Sequence, residues 1–164
     1  MNHPTKSSDS SGSLPPPTTP RGPRKSMRLD HVGLTVGDLE AMTAWYADAL
    51  EMAVEFEFAL DHTDFRGVML RSGAGHRIEL LHRPESVTGL QAANPVEAAL
   101  TRGFGHVALD VPEVDPAYDA LIAAGASDRM SPRPSPEPGV RMAYVADPEG
   151  NLVELLDRTT ATAS

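Results

Sequence analysis

The sequence contains no cysteine and, after residue 25, no lysine. Without cysteine there is no disulfide framework, thiolate metal site or cysteine nucleophile, so any metal must be held by histidine, aspartate or glutamate. Beyond residue 26 the charged side chains are ten arginines against 22 carboxylates. A surface this acidic does not attract the phosphates of nucleic acids or anionic lipids, and we expect no nucleic-acid or membrane partner.

Long hydrophobic runs are also missing, and no stretch approaches the roughly 18 to 20 apolar residues of a membrane span. The first 26 residues are rich in Ser, Pro and Thr and lack the apolar centre of a signal peptide. We therefore expect a cytoplasmic protein in which residues 1–26 form a disordered tail. Met27 directly precedes the first strand pattern and is a second plausible start of the chain.

An internal repeat with an offset of 75 residues is the most informative feature of the sequence. DHVGLTV at 30–36 matches GHVALDV at 105–111, Arg66 with the following GVML matches Arg141 with MAYV, and IELLHR at 78–83 matches VELLDR at 153–158. The separation from histidine to glutamate is 48 residues in both copies. Matches at a single offset with no net gap indicate a duplicated unit.

Each copy has the pattern of a βαβββ unit. The first begins with an alternating strand, followed by a helix with Asp38 as the predicted N-cap and apolar residues at helical spacing, namely Leu39, Met42, Tyr46 and Leu50. Three strands are predicted near 53–60, 65–71 and 77–82. The second copy has a predicted helix from about Asp115 to Ala124 and strands near 128–130, 141–146 and 152–157.

The predicted fold is therefore α+β, with two βαβββ modules that form a cupped mixed sheet. The modules span residues 27–84 and 104–164, and the linker at 85–103 contains a short helix from Asn94 to near Gly103. The segment SPRPSPEPG at 131–139 is too rich in proline for a strand and is predicted to be a loop. It is either a lid, with Arg129 or Arg133 meeting an anionic substrate group, or an ordinary surface connection.

Two histidines and two glutamates occupy equivalent places in the two copies. His31 and His106 lie in the first strands, and Glu79 and Glu154 lie in apolar last strands, where a lone carboxylate is costly without a positive partner. A single such residue is more often structural or solvent-facing, but a pseudo-twofold axis would bring all four together. Two imidazoles and two carboxylates suit one divalent ion: Ni, Co, Mn, Zn or Fe.

These segments, together with ADPEGNLVELLD at 146–157, resemble the vicinal oxygen chelate superfamily, which includes glyoxalase I, methylmalonyl-CoA epimerase, extradiol dioxygenases and fosfomycin or bleomycin resistance proteins. The resemblance covers about residues 28–158. It implies paired units cupped around one metal, a small-molecule substrate whose two neighbouring oxygens bind that metal, and a homodimer.

Retention of all four ligand positions resembles the glyoxalase I and epimerase branches, which are lyases or isomerases. The resemblance then implies transfer of a proton through a metal-bound enediolate, with Glu154 or Glu79 as general base and Glu154 slightly favoured. The chain departs from these branches in two ways. The epimerases commonly have glutamine where Glu79 stands, and the basic residues that bind glutathione in glyoxalase I have no clear counterpart.

Two alternatives remain open. A ring-cleaving extradiol dioxygenase would bind Fe(II) with His31, His106 and Glu154, and would need a further acid–base residue, for which the candidates are His62, His76, His82 and Tyr144. A metal-free resistance protein would sequester a drug in the cupped sheet, but such relatives generally lose the ligands. Trp45 either lines a substrate pocket or belongs to the core, as aromatic residues on amphipathic helices usually do.

Overall fold

The first module is a four-stranded mixed sheet with one helix on its face. The computed structural model describes residues 27–158, so the predicted tail and the last six residues lie outside the described part. The elements are β1 (Val32–Thr35), α1 (Leu39–Ala49), β2 (Met52–Ala59), β3 (Arg66–Ser72) and β4 (Arg77–His82). The strand order is β1-β4-β3-β2, and β1 runs parallel to β4 at one edge of the sheet.

The second module repeats this arrangement after the linker helix α2 (Pro95–Ala98). Its elements are β5 (Val107–Asp110), α3 (Val114–Ala123), β6 (Ser127–Pro134), β7 (Arg141–Ala146) and β8 (Leu152–Asp157), in the order β5-β8-β7-β6. The predicted α+β fold of paired βαβββ units is confirmed. The eight strands form two four-stranded sheets, and α2 ends at Ala98 instead of near Gly103.

Each helix covers the apolar face of its own sheet, so the opposite face remains available for a site. Asp38 caps α1 as predicted, because its side chain accepts a hydrogen bond from the backbone N–H of Ala41 at 2.9 Å. Met42 and Tyr46 of α1 pack on Leu70 and Leu80, and all four are almost completely buried. In the second module the residues that alternate with Glu154 are the buried ones, Val153 and Leu155.

The prediction of a loop at 131–139 is wrong over its first part, because β6 continues to Pro134. β6 is the outer strand of its sheet, where a missing backbone N–H is tolerated. Its pairing with β7 is also irregular between Met130 and Arg133, on either side of Pro132. Proline content therefore marks an irregular edge strand here, and only the end of the segment forms a turn.

Helix α1 and the turn at 147–151 join the two modules. Trp45 donates its indole N–H to the carbonyl of Ala124 at 2.9 Å, and its ring packs against both apolar cores. The Tyr46 hydroxyl donates to the buried carboxylate of Asp147 at 3.0 Å. Glu149 accepts hydrogen bonds from the backbone N–H groups of Gly37 and Asp38, where α1 begins. These contacts determine how one module is oriented on the other.

Within residues 27–158 no helix combines the length and the apolar character needed to cross a bilayer.

Candidate metal centre

The first histidine–glutamate pair lies where β1 and β4 run side by side. Gly33 of β1 is opposite Glu79 of β4, and the Glu79 carboxylate extends over Gly33 towards His31. The imidazole Nε2 of His31 is 3.5 Å from Glu79 Oε2, and the two side chains are 36% and 20% exposed. This pair is therefore held by backbone pairing and remains open to solvent on the face away from α1.

The second pair has the same construction in β5 and β8. Ala108 is opposite Glu154, and His106 Nε2 is 3.1 Å from Glu154 Oε2. His106 is 38% exposed, whereas Glu154 is only 12% exposed. In each module the duplicated sequence thus presents one imidazole nitrogen and one carboxylate oxygen to the same point.

The spacing within each pair fits two ligands of one ion. Two ligand atoms bound at about 2.1 Å and at right angles to each other lie about 3 Å apart. The observed separations of 3.5 and 3.1 Å are close to that value. Each pair can supply half of a four-ligand set of two imidazoles and two carboxylates, in agreement with the donor chemistry expected from the sequence.

Asp30 is a site residue that the sequence reasoning missed, although it directly precedes His31. Its Oδ1 lies 2.8 Å from His31 Nδ1 and also 2.8 Å from Nη1 of Arg77. The hydrogen bond with His31 and the nearby charge of Arg77 hold the pKa of Asp30 below its usual value. A proton on Nδ1 would leave the Nε2 lone pair free for a metal. The equivalent position in the second copy is Gly105, which cannot do this.

Tyr144 distinguishes the second pair from the first. It lies opposite Glu154 in the β7–β8 pairing, and its ring meets the His106 ring edge-on with centroids 5.3 Å apart. Burial, followed by a hydrogen bond with Glu154, raises the pKa of the Tyr144 phenol. The repeat places Met69 at the equivalent position of the first module, opposite Glu79. A comparison of the two copies at this position would have identified Tyr144 as an exception.

The four predicted ligands occur as two separate pairs in one chain. Among residues 27–158 no three His, Asp or Glu side chains come close enough together to hold an ion. The expectation that both pairs converge within one folded chain is therefore not met. The reason is that β1 and β5 are outer strands of separate sheets, and both border an apolar groove of about 620 Å³ between the modules.

The remaining candidates lie elsewhere. His62 and His76 are exposed, and His82 at the end of β4 has Nδ1 3.3 Å from the carbonyl of Val36. Trp45 belongs to the packing between the modules, as the core interpretation expected. Arg129 contacts the Asp128 carbonyl and Arg133 the Ser131 carbonyl, so both lie along the irregular part of β6.

Comparisons with known proteins agree with this architecture. The family model described as "Glyoxalase/Bleomycin resistance protein/Dioxygenase superfamily" matches residues 28–155. A Vibrio parahaemolyticus protein named "probable lactoylglutathione lyase" is 27% identical over 83% of this chain and 94% of its own length. Biphenyl-2,3-diol 1,2-dioxygenase 3 of Rhodococcus globerulus is 30% identical over 78% of this chain, which spans 62% of that relative.

The fold also matches solved structures. Glyoxalase I from Zea mays superimposes with a TM-score of 0.63 at 21% sequence identity. The match covers 79% of this chain and 44% of the maize chain, so the protein spans less than half of that enzyme. At this level of identity the likeness concerns the fold.

Proposed function

Because this chain belongs to the Glyoxalase/Bleomycin resistance protein/Dioxygenase superfamily, we propose that it is a metal-dependent lyase or isomerase of the glyoxalase I kind. Its substrate is a small molecule with oxygen functions on adjacent carbons. The observation that carries the proposal is the presence of two His–Glu pairs at equivalent positions, each with its nitrogen and oxygen at the spacing of neighbouring metal ligands.

A second copy of the chain completes the metal centre in this proposal. His31 and Glu79 of one copy join His106 and Glu154 of the other, so that a homodimer holds two centres. Three features support this arrangement: the pairs do not meet within the described part of one chain, they lie at outer strands, and His31 borders a groove that is rimmed by exposed apolar side chains. Leu29 is 84% exposed and Val32 38% exposed on this rim.

When bound, a divalent ion would act as a Lewis acid for negative charge on the two substrate oxygens. The protein's own residues do the rest. The two imidazoles and one carboxylate would hold and orient the site. The other carboxylate would remove the proton from the hydroxyl-bearing carbon and deliver it to the carbonyl carbon, while the hydroxyl proton passes to the former carbonyl oxygen. We assign the base role to Glu154, whose side chain is 12% exposed against 20% for Glu79 and which lies opposite Tyr144.

Mixed dimers test whether the centre is shared. One variant combines His31→Ala with Glu79→Ala, and the other combines His106→Ala with Glu154→Ala. Each alone should bind no Ni or Co, whereas a co-expressed mixed dimer regains one intact centre and binds about one ion. If each centre were formed within a single chain, the mixed dimer would also bind none, because both of its chains carry a broken site.

The proton-transfer activity is tested by incorporation of solvent deuterium into 2-hydroxyacetophenone with Ni- or Co-loaded protein. Exchange at the carbon that bears the hydroxyl is expected, and Glu154→Gln should abolish it while metal remains bound. Glu79→Gln is the matched variant at the equivalent position of the first module. Metal-free protein that cannot be loaded with Ni or Co would instead support the drug-sequestering alternative.

Tyr144 favours a second candidate function, an extradiol-type ring-cleaving dioxygenase. That reaction needs His31, His106 and Glu154 for iron and an acid–base side chain beside them, and Tyr144 lies directly opposite Glu154 with its ring centroid 5.3 Å from that of His106. Oxygen uptake by Fe(II)-loaded protein with biphenyl-2,3-diol tests this candidate. Tyr144→Phe should then abolish oxygen uptake, whereas it should leave a proton transfer by Glu154 largely intact.

A further inference from the structure

A row of side chains crosses the open face of the first sheet, starting at the His31–Glu79 pair. Strand pairing sets Gly33, Glu79, Met69 and Phe56 directly opposite one another on β1, β4, β3 and β2. Residues that are directly opposite point to the same face of a sheet. Because neighbouring strands are about 4.8 Å apart, the backbone of Phe56 lies about 10 Å from that of Glu79. A small substrate bound at Glu79 can therefore reach the side chain of Phe56.

Three phenylalanines continue this face beyond Met69. The Phe56 and Phe58 ring centroids are 6.2 Å apart, and those of Phe58 and Phe65 are 6.3 Å apart. Phe58 lies directly over Gly67, because a Cβ atom there would come within 2.3 Å of its ring. Phe56 remains 45% exposed. We call Phe56, Phe58 and Phe65 the phenylalanine wall; it presents apolar surface on the same face as the predicted ligands.

Arg71 of β3 and Arg77 of β4, which lie on this face, are already paired. Arg77 binds Glu55 and Asp30, each at 2.8 Å, and Arg71 lies 3.4 Å from the other oxygen of Glu55. No lysine occurs between residues 27 and 158. An anionic group placed against Phe56 would therefore lose water while both of these arginines stay bound to carboxylates, whereas a neutral ring would lose little.

We propose that the phenylalanine wall binds the part of the substrate that is not attached to the metal, and that this part is neutral and aromatic. The inference rests on the proposed metal-dependent function, because the two substrate oxygens must be held at the His31–Glu79 end of the row. It extends that function by naming the substrate class: an uncharged aryl compound with adjacent oxygens, in place of a conjugate of an anionic thiol.

Three hydroxamic acids test the proposal, because each offers two adjacent oxygens to the metal and they differ only in the attached group. Binding to Co-loaded protein is measured by calorimetry. Benzohydroxamic acid is expected to bind about tenfold more tightly than acetohydroxamic acid, since its ring is removed from water against the wall. 4-Carboxybenzohydroxamic acid should bind more weakly than the uncharged ring compound.

Variants of β2 connect the preference to the wall. Phe56→Ala should reduce the ratio of the benzo- and acetohydroxamate affinities to about one, and Phe56→Leu should leave an intermediate ratio. Val54→Ala is the matched control, because Val54 is also 45% exposed on β2 but lies opposite Leu70 of the core. The ratio of the benzo- and acetohydroxamate affinities of Val54→Ala should equal that of the unaltered protein.

The possible failures have different meanings. Equal binding of benzo- and acetohydroxamic acid, or tighter binding of the carboxylated ring, would overturn the phenylalanine wall and leave the metal centre standing. Metal-loaded protein that binds none of the three would overturn the metal centre as well. A ratio that survives Phe56→Ala would mean that the aromatic group binds elsewhere, which also contradicts the proposal.

Discussion

At the scale of single residues, the two halves of the proposed centre are built differently around the same two ligands. His31 has a carboxylate, Asp30, on its Nδ1, whereas His106 has the Tyr144 ring against its edge and a phenol beside its glutamate partner. The duplication therefore preserved the ligands while their immediate neighbours diverged. We expect the orientation of His31 to depend on its hydrogen bond with Asp30, and the orientation of His106 to depend on packing against Tyr144.

Replacement of Asp30 should weaken metal binding without unfolding the protein. Asp30→Ala removes the acceptor for the Nδ1 proton of His31, and the expected loss of Ni or Co affinity is about tenfold. Asp30→Asn should lose less, because an amide oxygen still accepts that hydrogen bond. Calorimetric titration of the metal-free protein measures both effects. Asp61→Asn, an exposed carboxylate in a loop, is the control, and equal losses in all three variants would refute the role of Asp30.

At the scale of secondary-structure elements, one ion pair occurs twice at the same place in the repeat. Glu40 in the first turn of α1 binds Arg66 of β3, and Asp115 in the first turn of α3 binds Arg141 of β7, with Nη2 of Arg141 2.7 Å from Asp115 Oδ1. The hydrogen bonds with these arginines hold the pKa of both carboxyls below their usual values. Each pair anchors the start of a helix to its own sheet.

These pairs should make stability fall in acid. A carboxyl whose pKa is lowered by folding contributes stability above its unfolded pKa, and loses that contribution as pH falls through the lowered value. Both pairs are exposed, so each contribution is small. Urea unfolding between pH 3 and 7 should show a shallower decline for the double variant Glu40→Gln, Asp115→Asn. Asp48→Asn serves as control, since Asp48 makes no ion pair within residues 27–158; an unchanged slope in the double variant would contradict the assignment.

At the scale of the whole molecule, the turn at 147–151 orients the second module on the first. Asp147 is 1% exposed and accepts hydrogen bonds from the Tyr46 hydroxyl and from the backbone N–H groups of Glu149 and Asn151. Gly150 has φ of +93° in this turn, a conformation that favours glycine, and its missing side chain leaves room for Gln91. The contact between Tyr46 and Asp147 helps to set the position of the second module, and with it the position of the His106–Glu154 pair relative to the first pair.

Loss of the Tyr46 hydroxyl should destabilise the protein more than loss of an exposed phenol. Tyr46→Phe leaves one oxygen of the buried Asp147 carboxylate without that donor, and a decrease of about 1–3 kcal/mol in the free energy of unfolding is expected. Tyr118→Phe, at the partly exposed phenol of α3, should change it by less than about 0.5 kcal/mol. Urea unfolding at neutral pH measures both, and similar values for the two variants would count against the importance of the Tyr46–Asp147 contact.

The amino-acid sequence by itself predicted the parts of this protein that depend on local pattern. The 75-residue repeat, the alternation around Glu79 and Glu154, and the cap at Asp38 can be recognised directly along the chain, and they indicated both βαβββ units and the four candidate ligand positions. The error at 131–139 arose because proline frequency does not reveal that a segment lies at a sheet edge.

Only the tertiary structure decided how the two units stand relative to each other. The contacts of Trp45, Tyr46 and Glu149 join residues 79 to 112 positions apart, and no periodicity along the chain records them. They set where the two His–Glu pairs lie relative to each other within one chain. The proximity of Tyr144 to His106 and the neutralisation of Arg77 by Asp30 and Glu55 likewise depend on strand register and side-chain packing, which are settled by the folded molecule as a whole.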